Sequence, residues 1–374
     1  MRALSQATGL GLAASRCSQA WTAGLACLAA KRDAAQQASR GVATIAHDEI
    51  TAPGPSKTPP EELQHAAVIH GLLGSGRNWR TFSRRLANDA AAQSGRGWLM
   101  SLVDQRNHGS SSQIPDLKPP HTIQASAGDL QDLVKQEFGG RPFDAVVGHS
   151  MGGKTALEYL RQTSAPGSKI KPPKQVWVLN AAIGASPTGK AVPFAEWKVW
   201  VLDAAIGASP AGKVMPRAES DVEKVVKQLS SIPMPIPSRE WLYDYLGQRS
   251  YSPGLAQWLG SNLVPIGDGQ YRWAFNIKGA ADMLDSYYHS DYWDLVEAPP
   301  PGVAIHHVRA ANSDRWTVPA KERLQAAQQK AAEANTGGTF TAHLLPDAGH
   351  WLHVDNPDGL RKMMLPSFIT PPFE

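Results

Sequence analysis

The stretch Asp144-Ala-Val-Val-Gly-His-Ser-Met-Gly-Gly-Lys-Thr155 constrains this chain more than any other. A short apolar run, Ala145 to Val147, stops at Gly148-His149-Ser150-Met151-Gly152, and a segment with helical spacing, Lys154 to Arg161, follows. That is a strand, a sharp turn and a helix around a G-x-S-x-G pentapeptide. Such a turn holds its serine in a backbone geometry that ordinary side chains resist. A side chain two residues to either side would collide with the strand or the helix, which accounts for the glycines. The expected result is a hydroxyl at the carboxyl end of a strand, beside a helix N-terminus that favours developing negative charge.

The flanking pattern supplies a sheet for that strand. Val42 to Thr51, Ala66 to Ile69 and Trp98 to Val103 read as strands, Trp79 to Ala91 and Thr122 to Phe138 as helices. After the turn, Val176-Trp-Val-Leu-Asn-Ala-Ala-Ile-Gly-Ala-Ser-Pro187 recurs as Val199-Trp-Val-Leu-Asp-Ala-Ala-Ile-Gly-Ala-Ser-Pro210, with only Asn180 against Asp203 differing. Two copies do not make a solenoid; one is expected to be a core strand and the other to lie outside the sheet. From Arg217 to Val296 the chain is rich in Trp and Tyr and broken by prolines, so short amphipathic helices fit there and strands do not. Alternation then resumes, with strands at Gly302 to Ala310 and Phe340 to Leu345 and helices at Val318 to Ala334 and Pro357 to Phe368. The expected class is α/β: a mostly parallel sheet flanked by helices in a domain spanning 42–368, with a helical cap inserted at about 211–298.

Charge matters here through its location. The net charge of +4 resides in residues 1–41, which hold Arg2, Arg16, Lys31, Arg32 and Arg40 against Asp33, so the remainder is neutral and a nucleic-acid partner has no support. Residues 1–41 are rich in Ala, Ser, Gln and Arg and read as an organelle transit peptide, the mitochondrion ranking ahead of the chloroplast. A chain in which that leader is not read would stay cytoplasmic. Both cysteines, Cys17 and Cys27, fall in the leader, which excludes a disulfide, a thiolate nucleophile and cysteine metal sites from the body. No apolar run is long enough for a membrane span. No metal-ligand spacing and no strand–G-x-G-x-x-G–helix context occurs, so no cofactor is expected.

Serine chemistry needs a base for the hydroxyl proton, an acid to hold that base, and N–H donors for the oxyanion. His350, in Ala348-Gly-His-Trp351 after the last strand, is the expected base, with His353 and His149 as competitors. His149 should point away from Ser150, and His353 should support the loop. The oxyanion donors should be the backbone N–H groups of Met151 and Leu72, the latter from the loop that begins His70-Gly71. Two aspartates compete for the acid: Asp314, after the strand ending at Ala310, and Asp203, at the end of the second Val-Trp-Val-Leu copy. Asn180 holds the same place in the first copy, where it could orient an imidazole but not balance its charge. If the first copy fills the sheet, Asp314 becomes the acid. Arg106 and Asp104 are expected to tie loops together, and Lys154 to pack at the helix start.

Taken jointly, His70-Gly-Leu-Leu-Gly-Ser-x-x-Asn78-Trp79, the Asp104-x-Arg-Asn-His-Gly-x-Ser loop, Gly148-His-Ser-Met-Gly-Gly-Lys-Thr155 and Ala348-Gly-His-Trp-x-His353 resemble the family of α/β-hydrolase domain protein 11 and the related bacterial YbfF-type esterases. The similarity points to the plant and algal branch, through Val-Trp-Val-Leu-Asp, Ile236-Pro-Ser-Arg-Glu-Trp-Leu and Asp355-Asn-Pro-Asp-Gly. The resemblance implies an esterase or thioesterase-like hydrolase of the α/β-hydrolase fold. In that family the acid is thought to follow the Val-Leu of the strand after the elbow, which maps to Asp203 or to Asn180. The expected activity is hydrolysis of a small-molecule acyl ester or thioester through an acyl-serine, with no protein partner indicated. A carbon–carbon hydrolase or acyltransferase of the same fold, and a non-catalytic binding protein, are the alternatives.

Overall fold

Strands buried on both faces are near-continuous apolar runs, and such runs build the centre of the sheet. The structure, a computed structural model, describes residues 44–55, 59–185, 228–249, 251, 253–313 and 316–373. The leader, the second Val-Trp-Val-Leu copy with Asp203, and Asp314 lie outside the described residues.

In chain order the elements begin with β1 (His47–Ala52), β2 (Gln64–Ile69), α1 (Arg80–Ser94), β3 (Trp98–Val103) and α2 (Ile123–Glu137). They continue with β4 (Ala145–His149), α3 (Met151–Ser164) and β5 (Gln175–Leu179). Then come α4 (Arg239–Gly247), α5 (Pro253–Ser261), β6 (Leu263–Gly267), β7 (Gln270–Trp273), α6 (Ile277–His289) and α7 (Trp293–Glu297). The chain closes with β8 (Ala304–Ala310), α8 (Val318–Ala334), β9 (Thr339–Leu345), α9 (Leu352–Asp355) and α10 (Pro357–Ile369).

Among the described residues, seven strands form one sheet in the order β1-β3-β2-β4-β5-β8-β9. Only β1 runs antiparallel to its neighbour, pairing His47 with Val103 and Ala52 with Trp98. Every residue of β2, β3, β4 and β5 is buried, whereas β1 and β9 at the edges alternate with partly exposed positions. Side chains from α1 (Phe82, Leu86) and α10 (Leu360, Met364, Phe368) cover one face. Those of α2 (Leu130, Leu133), α3 (Leu157, Leu160) and α8 (Leu324, Ala327) cover the other. Local signals fix the helix ends. Thr122 accepts from Ala125 N at the start of α2, and α1 stops at Gly95 in the left-handed region with φ 74°.

The chain passes from β2 outward to β3 on one side and then returns to β4 on the other, so strand order reverses between β2 and β4. In open α/β sheets the crevice beyond the carboxyl ends at such a reversal is where ligands bind. Ser150 follows β4 at that point.

The first Val-Trp-Val-Leu copy fills the sheet: Val176 to Leu179 lie in β5, between β4 and β8. The segment between β5 and β8 corrects one expectation. It holds short helices, as its composition suggested, but also a two-stranded antiparallel hairpin, β6–β7. Gly267, Asp268 and Gly269 all have positive φ and turn the chain, and buried Leu263 pairs with buried Trp273. A separate apolar core gathers there, from Ile236, Leu242, Leu246, Leu259, Leu263, Trp273 and Phe275, and it takes in Leu73 from the loop after β2.

Candidate active site

Ser150 sits between β4 and α3 with φ 52° and ψ −118°, a conformation that a non-glycine residue holds only where its surroundings impose it. Its N–H donates to Leu179 O at 2.9 Å, and its carbonyl accepts Gly153 N–H at 2.9 Å, so both neighbours of the serine are fixed by backbone. A Cβ on Gly148 would stand 2.1 Å from Gly152 O, and one on Gly152 would stand 2.5 Å from His70 O and 2.6 Å from Ile69 O. The first contact is with the helix start and the second with β2, the two collisions that the glycines avoid.

The loop after β2 lies against the serine. A Cβ on Gly71 would be 3.2 Å from Ser150 Cβ and 3.1 Å from His149 Nδ1. His70 sets this loop. Its Nδ1–H donates to Gly71 O at 2.6 Å and its Nε2 accepts Gln105 N–H at 3.1 Å, a pattern that needs the neutral ring. Burial, with His149 adding to it, lowers its pKa to about 4 against the opposing pull of Gly71 O. Gln105 Nε2 donates to His70 O at 2.7 Å, while its Oε1 accepts from Thr155 of α3 at 2.8 Å. Leu72 follows in a turn closed by Gly74 N–H on Gly71 O at 3.1 Å, and Met151 is the first residue of α3, where a helix leaves its N–H groups unbonded.

His350 sits in the loop between β9 and α9, which is held from three directions. Asp355 Oδ2 accepts Gly349 N–H at 2.9 Å. His149 Nε2–H donates to His350 O at 2.9 Å, and the two rings lie 4.6 Å apart. Asn180 Nδ2 is 2.9 Å from His350 Nδ1. His149 therefore holds the His350 backbone in place. His353 is stacked on Trp79 with centroids 3.8 Å apart, and burial holds its pKa well below the usual histidine value, the neutral ring a stack in the core favours.

Of the six residues expected at the site, Ser150, His350, Leu72 and Met151 are described, and Asp203 and Asp314 lie outside the described residues. Asn180 stands at the carboxyl end of β5 because the first copy fills that strand. It is wholly buried, with φ 47°, and its N–H donates to Val308 O at 2.8 Å. Its Oδ1 accepts Trp316 Nε1–H at 2.7 Å.

The loop residues do more than fill space. Arg106 forms a bidentate ion pair with Asp129, at 2.7 Å for each bond, and donates to Pro120 O at 2.7 Å. Burial raises the Asp129 pKa and Arg106 pulls it back. Asp104 accepts Gly76 N–H at 2.8 Å and Ser110 N–H at 2.7 Å, tying the β3 loop to the start of α1. His108, buried in the same loop, bonds through Nδ1 to Arg106 O at 2.9 Å. Lys154 is buried and donates to Gly184 O, Tyr287 O and Ser290 O at 2.8, 2.7 and 2.8 Å, so it joins α3 to the end of α6. Sequence reasoning missed Gln105 and Trp316. Each is a lone polar or aromatic residue in a loop, and only the fold supplies its partner.

Among the described residues no group of three or more His, Cys, Asp or Glu could hold a metal ion, and no helix is long and apolar enough to cross a membrane. An alpha/beta hydrolase family model matches residues 67–362. The chain is 27% identical over 296 residues to the mouse (Mus musculus) sn-1-specific diacylglycerol lipase ABHD11, covering 79% of this chain and 78% of that one. It is 27% identical over 295 residues to esterase YbfF of Escherichia coli strain K12, covering 78% and 88%. Among solved structures, a marine microorganism esterase superposes with a TM-score of 0.56 at 22% identity, over 86% of this chain and 99% of that one.

Proposed function

The chain belongs to the α/β-hydrolase family, and from that premise we propose that it hydrolyses carboxylic esters or thioesters through an acyl-Ser150 intermediate. The observation that carries this reading is the conformation of Ser150, φ 52° and ψ −118°, at a strand-to-helix turn where the adjacent His149 bonds the carbonyl of His350. Strain at a non-glycine residue held at positive φ clusters at active sites. Two relatives, a diacylglycerol lipase and an esterase, support an acyl ester as the substrate class.

Ser150 Oγ attacks the carbonyl carbon, His350 takes its proton and later returns it to the leaving group, and the N–H groups of Leu72 and Met151 receive the oxyanion. With the first copy in β5, Asp314 becomes the carboxylate proposed for His350, and Asp203 is its alternative. The leader reading adds an organellar address, the mitochondrion ahead of the chloroplast, which import of a reporter fused to residues 1–41 would test.

The experiment is steady-state hydrolysis of p-nitrophenyl acyl esters and of an acyl thioester by the wild type and Ser150→Ala. Turnover should vanish in the variant at unchanged far-ultraviolet circular dichroism. Equal turnover in both would reject the serine, and product analysis separates hydrolysis from acyl transfer and from carbon–carbon cleavage.

A further inference from the structure

Gln105 is buried, and both ends of its side-chain amide are directed at elements that frame Ser150. Chemistry fixes which end is which. His70 O can only accept, so the group 2.7 Å from it is the NH2. Oε1 then meets two hydroxyls: Thr155 of α3 donates at 2.8 Å and Ser126 of α2 at 3.2 Å. The backbone N–H of the same residue donates to His70 Nε2 at 3.1 Å. One side chain and its own amide thus hold His70 twice, and α3 and α2 once each.

These bonds converge on the space beside the serine. A Cβ on Gly71 would stand 3.2 Å from Ser150 Cβ, and one on Gly152 would stand 2.5 Å from His70 O. That packing limits how near the loop after β2 can come to the start of α3. The Gln105 amide, bonded to His70 O and to Thr155 one turn into α3, limits how far the two can part. Gln105 is braced on either side. Asp104 N–H donates to Ala46 O at 2.9 Å, and its carboxylate accepts Gly76 N–H from the far end of the same loop at 2.8 Å. Arg106 is bidentate on Asp129 of α2.

We propose that Gln105 is a positioning residue for the oxyanion: it sets the spacing between the loop that carries Leu72 and the start of α3 that carries Met151. The inference rests on the acyl-Ser150 reading above. Gln105 acts through His70 and Thr155. Two N–H groups from separate elements stabilise an oxyanion fully only when both stand about 2.7–3.1 Å from it at once. The ground-state carbonyl carries little charge, so a change in that spacing falls on kcat and leaves KM nearly as it was.

The test compares wild type, Gln105→Leu, Thr155→Val, Thr155→Ser and the Gln105→Leu/Thr155→Val double variant. It reads kcat and KM for a p-nitrophenyl acyl ester, and Ki for a trifluoromethyl ketone with the same acyl chain. Ser150 Oγ adds to the ketone carbon, its proton passes to the base, and the carbonyl electron pair moves to oxygen. The adduct therefore carries the oxyanion that the ester in its ground state lacks. Gln105→Leu should lower kcat at least ~10-fold with KM within about twofold, and Ki should rise by the factor that kcat loses. Thr155→Val should act in the same direction by a few-fold, and Thr155→Ser, which restores the hydroxyl, should recover that loss. The double variant should be no slower than Gln105→Leu, because Thr155 acts through Gln105.

A folded Gln105→Leu with unchanged kcat, or with lowered kcat at unchanged Ki, would overturn the positioning role and leave the serine reading intact. Should Gln105→Leu fail to fold, the Thr155 pair decides: wild-type kcat and Ki in Thr155→Val would overturn it. A wild type that neither turns over the ester nor binds the ketone would reject the serine reading, and the positioning role with it.

Discussion

At the residue scale the site is a set of backbone and side-chain commitments around Ser150, and Lys154 shows how far they extend. Its ammonium is buried, bonded to three carbonyls, and sits 4.2 Å from the Tyr287 ring centroid. Burial pulls its pKa down to about 7, with Asp291 opposing. The unfolded chain, at about 10.4, binds the proton more tightly. Between about pH 7 and 10 the unfolded chain therefore keeps a proton that the buried amine sheds, so stability falls as pH drops through that window. The ammonium, with one N–H for each carbonyl, is the folded form below about pH 7. Lys154→Met should cost roughly 3 kcal/mol by leaving three buried acceptors unpaired. It should also remove this pH dependence; thermal melts of both proteins between pH 7 and 10 check it, and parallel curves would refute it. Ser150 and its glycines were legible in the sequence because the turn makes a backbone demand that only certain residues meet. The bond from Trp316 to Asn180 was not, since nothing local distinguishes an indole that packs from one that orients an amide.

At the element scale the sequence marked most strands and helices but could not rank two identical ones. The Val-Trp-Val-Leu copies differ only at Asn180 and Asp203, so apolar pattern favours neither for β5. The sheet takes the first, so Asn180, not Asp203, follows β5. The β6–β7 hairpin escaped because its strands are short and Pro265 interrupts one. The Gly267-Asp-Gly269 turn was the available signal. Elements also meet closely at the elbow, where Gly152 of α3 lies against the carbonyls that end β2. Gly152→Ala should push them apart at a cost of about 1–3 kcal/mol. It should slow labelling of Ser150 by at least ~10-fold, since small misplacements at a reacting centre are costly. A Gly152→Ala protein that labels at the wild-type rate would show that the elbow tolerates displacement.

At the scale of the whole molecule, two apolar cores of the described residues lie on opposite faces of the sheet, and a third, in the segment between β5 and β8, reaches the loop after β2. Leu73 belongs to that third core, and its neighbour Leu72 contacts both it and one of the cores on the sheet. Leu242→Ala, at a wholly buried position of α4, should destabilise by about 2–5 kcal/mol and lower kcat/KM although it touches no proposed catalytic group. Denaturant melts with parallel kinetics check this, and unchanged kinetics in a destabilised variant would separate the third core from the loop after β2. The broad architecture was legible because a mostly parallel sheet demands buried apolar strands alternating with helices. The joining of the third core to the loop after β2 depends on contacts between distant segments. The central claim, that Ser150 forms an acyl intermediate, is tested most directly by mass spectrometry of the protein quenched moments after mixing with an activated acyl ester. An acyl mass on the peptide containing Ser150, absent in Ser150→Ala, is the result expected. Steady ester turnover with that peptide unmodified would contradict it.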